Sequence, residues 1–274
     1  MKKEFQNSKT FLYLVQSAGT LPESYNDLQS ERSDVVCLTW KEEIPGKIYF
    51  PKSTWTEGRN RLVEEAVKDT SYLYYIFLDD DVAFAKGSWR DFEDALLKYQ
   101  PAVAVPHLIG YESGAAYNDL RLKTQTCYNF DAIYNAFHRD VLLDGVILPY
   151  YGGFDKECLL YSQWIVIHLS LLFFPRHTLQ INSVSIQNET HDATYPNYNP
   201  KRIRKWFREE ILQSPGLLPP NLRQRVARNI PWPALRRLAW KPRRPSPKLS
   251  SYQTSPQQKQ KIQLNFRDKQ PELI

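Results

Sequence analysis

The stretch Tyr72-Leu-Tyr-Tyr-Ile-Phe-Leu78, followed directly by Asp79-Asp80-Asp81, decides the fold of this 274-residue chain. Its first seven residues are aromatic, β-branched or otherwise apolar on both faces, which is typical of a central strand in a parallel sheet. The three carboxylates stand where that strand ends. Ligands of open α/β sheets bind at the carboxyl ends of the strands, so the triplet is predicted to lie at a ligand-binding edge.

Strand-like and helix-like segments alternate on both sides of this stretch. Residues 11–15 and 34–40 predict strands, and Thr54 with Glu57 forms a capping-box pattern that opens a helix running to Lys68. Ser88 is predicted to cap a helix over residues 88–99. This alternation predicts an α/β fold with a Rossmann-like, mostly parallel central sheet flanked by helices.

The pattern is looser in the second half of the chain. Predicted elements are a helix over 22–32, a strand over 102–105, a long loop over 109–126, a strand over 127–137, a buried helix over 156–173, a strand over 179–187 and a basic helix over 200–212. We therefore expect one folded domain over 1–214, with halves at about 10–108 and 109–214. The Pro/Arg/Gln-rich residues 215–274 are predicted to be a largely extended, unpacked tail.

Charge divides the chain in the same way. From Lys201 onward there are 18 Lys and Arg against 4 Asp and Glu, whereas the first 200 residues carry 18 against 26. The cations of the tail alternate with Trp232 and Trp240, a mixture that suits an anionic membrane surface. A disordered, solubilising tail is the alternative interpretation.

The three cysteines have no disulfide or zinc spacing, and the longest apolar stretch, residues 164–174, is too short to cross a bilayer. With no apolar signal core near Met1, we expect a cytoplasmic protein, either free or peripheral at the inner face of a membrane.

The acidic triplet predicts a metal site. In an extended backbone Asp79 and Asp81 project to one side and Asp80 to the other. Two carboxylates on one side suit Mg²⁺ or Mn²⁺, which can bridge a diphosphate and stabilise its charge. A solvated acidic turn is the alternative.

Residues 75–82, preceded by Glu57-Gly-Arg-Asn-Arg-Leu62, resemble the nucleotide-sugar half of GT-A type glycosyltransferases of the family 2 kind, which carry a DxD motif. The resemblance covers roughly residues 10–192. It implies that Asp79 contacts the nucleoside of a nucleotide-sugar donor, with Asp80 beside it, and that Asp81 binds the metal. It also implies that the loop beginning at Gln16 and Ser17 contacts the base and ribose, although an ordinary turn is equally compatible with that loop.

Arg59 lies on the apolar face of the helix opened by Thr54, so its cation must reach a polar partner. A diphosphate is one candidate, and a structural salt bridge to the acidic triplet is the other. Arg61 points away and is predicted to pair with Glu64 and Glu65 at the surface.

The resemblance implies an acceptor-side base and a third metal ligand. Asp155 would take the proton of the acceptor hydroxyl in an inverting transfer, with Glu157 as the substitute. An N-cap role at the following helix is the alternative for Asp155. His191 would be the third metal ligand, and a surface histidine is the alternative there.

The function predicted from these features is metal-dependent sugar transfer from a nucleotide-sugar to a glycan or lipid-linked acceptor. Two other classes remain open: a Mg²⁺-dependent nucleic-acid-binding or phosphodiester-processing protein, and a non-catalytic carbohydrate-binding protein. The acidic body argues against nucleic acid, because a groove for a polyanion beside the metal site should be basic.

Overall fold

The computed structural model describes residues 9–111, 118–188, 198–212 and 245–256. Within these residues a nine-stranded sheet is flanked by helices. The strands are β1 (Phe11–Ser17), β2 (Ser33–Thr39), β3 (Ile48–Tyr49), β4 (Tyr74–Asp79), β5 (Val82–Lys86), β6 (Val103–Leu108), β7 (Thr124–Thr126), β8 (Tyr134–His138) and β9 (Thr178–Asn188). The α-helices are α1 (Trp55–Ala66), α2 (Trp89–Tyr99), α3 (Arg139–Asp144), α4 (Leu160–Phe173) and α5 (Pro200–Trp206).

The predicted mostly parallel α/β sheet flanked by helices is confirmed: β1, β2, β3, β4, β6 and β9 run in one direction, and only β5, β7 and β8 run in the other. Strands β3, β2, β1 and β4 are parallel neighbours in that order. Strand β8 then pairs antiparallel with both β4 and β6, and β9 runs parallel to β6. Strands β5 and β7 add antiparallel edges to β9. Because β1 and β4 are parallel neighbours, their carboxyl ends lie side by side.

Helices cover both faces of the sheet. Leu62 and Ala66 of α1 pack with α3 and α4 in one apolar cluster, and Phe92 and Leu96 of α2 pack in the other, together with a 3₁₀ helix at Glu23–Leu28. Strand β4 is buried along its length up to Asp79, which is half-buried, because both of its faces contribute to these clusters.

The predicted helix caps near the site are confirmed. Thr54 Oγ1 accepts from Glu57 N at 3.1 Å, and the Glu57 carboxylate accepts from Thr54 N at 2.8 Å, which completes the capping box. Ser88 caps α2 by accepting from Asp91 N at 3.2 Å. These caps satisfy backbone donors that the first turn leaves unpaired.

Several predicted elements differ from the structure. The helix predicted over 22–32 is a single 3₁₀ helix, and the buried helix begins at Leu160 rather than at 156. Residues 127–133 form no strand, so the strand predicted over 127–137 is present only as β8, Tyr134–His138. In the predicted loop, residues 124–126 form β7, and residues 112–117 lie outside the described part.

The basic helix packs on the body of the protein. The Trp206 ring stacks on Tyr151 with centroids 5.4 Å apart, and Phe207 is 1 % exposed. Arg202 Nε lies 2.5 Å from Glu157 Oε1. The apolar side of this helix is therefore used for internal packing and is not available to a membrane.

Part of the predicted unpacked tail is packed. Tyr252 is 2 % exposed, and its ring contacts His138, Phe174 and His177 at centroid distances of 5.1 to 5.8 Å. Most residues of 245–256 are exposed and lie in no strand, so the described part of the tail is largely extended, as predicted, and Tyr252 is where it packs on the body. Residues 213–244 and 257–274 lie outside the described residues. Among the helices of the described ranges, none is long and apolar enough to cross a membrane.

Candidate active site

The candidate site lies where β1 and β4 end. Gln16 is aligned with Asp79 in the parallel register of these strands, and both positions are at the carboxyl edge of the sheet. Asp80 and Asp81 form the turn that leads into β5. Tyr25 holds this turn, because its hydroxyl donates to Asp79 O at 2.8 Å and accepts from Val82 N at 3.0 Å.

Asp80 is bound to the loop after β1. Its Oδ2 accepts from Ser17 Oγ at 2.7 Å and from Ala18 N at 2.9 Å. The structure therefore brings together two residues predicted to contact the donor, and it fixes the loop against the acidic turn. Their contact with a nucleotide stays a prediction.

Asp79 is bound to α1. Its Oδ1 accepts from the Arg59 guanidinium in an ion pair and from Trp55 Nε1 at 3.2 Å. Both contacts are to Oδ1, and 24 % of the Asp79 side chain is exposed. Oδ2 is thus available for another ligand.

Arg59 is completely buried beneath Asp79. Its Nη1 donates to Leu78 O at 3.1 Å, and its guanidinium lies 4.9 Å from the centroid of the Trp55 ring. The salt bridge to the triplet, one of the two sequence interpretations, is present. The buried guanidinium is bound to Asp79, and its contact with a diphosphate stays a prediction. Arg61, as predicted, pairs with Glu64 at 2.7 Å and Glu65 at 2.5 Å.

The electrostatics of the triplet favour a bound cation. Burial raises the pKa of Asp79 to about 7; the charge of Arg59 opposes this rise, and the carboxylates of Asp81 and Asp131 add to it. Asp131 was not assigned from the sequence, because its proximity to Asp79 depends on the path of residues 127–133. Carboxylates crowded in this way repel one another until a cation is placed among them.

Asp155 lies in a second segment that meets α1. It follows a 3₁₀ turn at Gly152–Phe154, and its Oδ2 accepts from Thr54 Oγ1 at 2.5 Å while its Oδ1 accepts from Ser162 Oγ at 3.1 Å. The N-cap of α4 is Leu159, so the interpretation of Asp155 as the cap of that helix is wrong. Burial raises the pKa of Asp155, with the hydrogen bonds from Thr54 and Ser162 opposing it.

Asn60 joins the same segment to α1. Its Nδ2 donates to Tyr150 O at 2.8 Å, and its Oδ1 accepts from Tyr150 N at 2.7 Å. The Tyr150 ring meets Trp55 edge-on at 5.1 Å. Neither Asn60, Trp55 nor Tyr150 was singled out as a site residue in the sequence, although Trp55 directly follows the predicted N-cap.

Several buried polar atoms at this edge have no hydrogen-bond partner among the described residues: Gln16 Oε1, Arg59 Nε and the Tyr150 hydroxyl. An unpaired buried polar group costs roughly 1–3 kcal/mol, and such groups are expected where a ligand or water completes a site.

The carboxylates of Asp79 and Asp81 fit a hard divalent ion whose other ligands are oxygens of the substrate. In the described part of the chain, no three His, Cys, Asp or Glu side chains converge into a complete metal cage. Mg²⁺ is commonly held by one or two carboxylates plus substrate phosphates, and Asp79 Oδ2 with Asp81 would supply that number. His191 lies outside the described residues, and Glu157 is paired with Arg202.

The sheet and its flanking helices form a GT-A type α/β fold. Among solved structures, the chain is similar to S. aureus TarS 1-349 in complex with UDP, with a TM-score of 0.52, 12 % identity, and coverage of 84 % of this chain and 72 % of that one. TarS 1-349 in complex with UDP-GlcNAc matches with the same TM-score, 11 % identity, and coverage of 85 % and 73 %. At this identity the similarity establishes the fold alone. No protein-family model and no curated protein sequence matches the chain.

Proposed function

We propose that this chain is a glycosyltransferase that uses a nucleotide-sugar donor and a divalent metal ion, and transfers the sugar to a glycan or lipid-linked acceptor. The observation that carries the proposal is the meeting of the acidic triplet, the end of β1 and the Asp155 segment at the carboxyl edge of a GT-A type sheet. The TarS structures contain UDP and UDP-GlcNAc, which makes uridine-linked sugars the first donors to test.

Asp79 and Asp81 would hold Mn²⁺ or Mg²⁺ with the oxygens of the diphosphate. The ion would supply charge stabilisation for the departing nucleoside diphosphate. Arg59 and Trp55 keep Asp79 Oδ1 occupied, so that Oδ2 is presented to the ligand. Ser17 and Asp80 hold the loop on which the nucleoside would rest.

Asp155 is the proposed base of an inverting transfer. As the acceptor oxygen bonds to the anomeric carbon, Asp155 takes the hydroxyl proton and the diphosphate leaves with the electron pair of its bond to the sugar. Each carboxylate oxygen can accept two hydrogen bonds, so the contacts to Thr54 and Ser162 leave capacity for the acceptor hydroxyl. Its raised pKa makes it a stronger base than an exposed aspartate.

Donor binding is tested by thermal shift with UDP-GlcNAc, UDP-galactose and GDP-mannose, each with Mn²⁺. A donor at 100 times its Kd stabilises the fold by about 2.7 kcal/mol, which is roughly 5 °C for a chain of this size. We expect Asp81→Asn to abolish the shift. Asp69→Asn, at an exposed aspartate just before the start of β4 and so at the opposite end of that strand from the triplet, is the matched control and should retain it.

If none of the nucleotide-sugars stabilises the protein, while RNA or DNA does so in both the wild type and Asp81→Asn, the proposal is wrong. The base is tested separately by release of the nucleoside diphosphate. Asp155→Asn should lower turnover by about 100-fold or more, since general bases contribute that much, without changing UDP affinity.

A further inference from the structure

A second concave site lies away from the acidic triplet. A cleft of about 820 Å³ opens between the last turn of α2, residues 121–124 at the start of β7, and residues 245–248 of the C-terminal segment. Gln100, in its wall, precedes β6 at the edge where the parallel strands begin. Asp79 lies at the edge where they end, so the two sites are at opposite edges of the sheet.

The cleft is strongly basic. Its lining includes Lys98, Lys123, Lys248 and Arg121. Arg121 pairs with Asp119 at 2.8 Å, whereas within the described ranges the three lysines have no salt bridge. Cations of one sign around a concave surface focus the field into it and raise the local concentration of anions.

The wall formed by the C-terminal segment is held in place. Pro245 and Pro247 border the cleft, and the chain beyond them is anchored a few residues later. Tyr252 N donates to Asp140 Oδ2 at 3.0 Å, and Thr254 Oγ1 donates to Asp144 Oδ2 at 2.6 Å. Lys248 lines the same cleft as Lys98 and Lys123 and lies four residues before the anchored Tyr252.

We propose that this cleft binds a small anion that carries two or more phosphate charges. Its volume lies within the range of roughly 300–1,000 Å³ that is usual for small-molecule sites. Three lysines without counter-ions match a polyvalent anion better than a single carboxylate, and lysine is a common partner of phosphate. Because no acidic residue of the triplet takes part, binding here needs no divalent metal and does not depend on the proposed transferase activity.

The test uses tripolyphosphate as the probe, in EDTA, and measures binding to the full chain by isothermal titration calorimetry. The cleft variant is K98Q/K123Q/K248Q, which removes three exposed charges. The matched control is K68Q/K201Q/K205Q, which removes three exposed lysine charges elsewhere and so keeps the same net charge. We expect one site per chain in the wild type, a loss of affinity of at least tenfold in the cleft variant and less than twofold in the control. Melting curves of all three proteins check that each is folded.

Three results would overturn the proposal: no binding of tripolyphosphate to the wild type, equal loss of affinity in both triple variants, or no loss in either. Vesicles of phosphatidylglycerol and phosphatidylcholine distinguish a membrane surface. If the wild type binds these vesicles through the three lysines and does not bind tripolyphosphate, the cleft is a lipid contact and the small-anion proposal is wrong.

Discussion

At the residue scale, Arg59 and Asp79 are the pair on which the site depends. The guanidinium is completely buried, and the carboxylate beside it is half-buried among other acids. Removing one partner of such a pair leaves an uncompensated charge, whereas removing both is far less costly. The pair therefore links the geometry of the site to the stability of the fold.

We expect Arg59→Met to lower the free energy of unfolding by about 3 kcal/mol, the usual cost of breaking a buried pair. The double variant R59M/D79N should lose less free energy of unfolding than the losses of R59M and D79N added together. Arg61→Met on the exposed side of the same helix should cost less than about 0.5 kcal/mol. Urea unfolding of the four variants measures these differences, and additive losses would contradict a coupled pair.

Asp155 predicts a pH-dependent difference in stability. Its folded pKa is raised above the ordinary value by burial, so its contribution to stability is present at low pH and is lost as the pH rises through the folded pKa. Asp155→Asn does not titrate at this position. The difference in melting temperature, Asp155→Asn minus wild type, should therefore increase between pH 4 and pH 8. A difference that stays constant with pH would contradict the raised pKa.

At the element scale, α1 connects the parts of the site. Its N-cap Thr54 binds Asp155, Trp55 and Arg59 bind Asp79, and Asn60 binds the backbone of Tyr150. One rigid helix thus sets the spacing between the acidic turn and the predicted base. Thr54 and Asn60 are six positions apart, and an α-helix has 3.6 residues per turn. All of these contacts therefore come from the first two turns of α1.

Gly58 allows α1 to approach β1. A Cβ at this position would lie 2.7 Å from Gln16 Cδ, so Gly58→Ala must displace the Gln16 side chain. We expect Gly58→Ala to weaken nucleotide binding, because the Gln16 side chain is displaced. The effect on stability is smaller, because alanine is favoured over glycine in a helix by about 1 kcal/mol and this offsets part of the strain.

In a Gln16→Ala background the same change should stabilise the protein by up to about 1 kcal/mol and alter binding no further. Calorimetric titration with UDP and Mn²⁺ gives the affinities, and thermal unfolding gives the stabilities. If Gly58→Ala leaves UDP affinity unchanged in the wild-type background, Gln16 is not a donor-binding residue.

At the scale of the whole molecule, the C-terminal segment (residues 245–256) contacts the body of the protein at the edge of the sheet opposite the candidate active site. Tyr252 fills a place between α3, the start of β6 and the end of α4, and its hydroxyl donates to Gln100 O. Tyr252 and Thr254 thus contact the body of the protein from beyond residue 214, and the domain boundary predicted there stays a prediction.

We expect Tyr252→Ala to lower the free energy of unfolding by about 3–5 kcal/mol, as for other large aromatic side chains removed from a core. Tyr252→Phe should cost about 1 kcal/mol, because only the hydrogen bond is lost. Chemical denaturation distinguishes the two, and a Tyr252→Ala protein as stable as wild type would show that the segment does not pack in solution.

The sequence by itself determined the elements whose causes are local. The apolar run of β4, the capping box at Thr54, the Ser88 cap and the position of Asp79 at a strand end all depend on neighbours a few residues away. The predicted proximity of Arg59 to the triplet also followed from helix periodicity. The roles assigned to Asp81, Asp155 and His191 stay predictions.

Only the tertiary structure decided the rest, because the contacts concerned join distant parts of the chain. Asn60 meets Tyr150 across 90 residues, and Tyr252 meets Asp140 across 112 and Gln100 across 152. No periodicity indicates such partners, and the antiparallel insertion of β8 beside β4 has no local signature either. These pairings are selected by the burial and hydrogen bonding of the assembled core, which is why local sequence signals do not predict them.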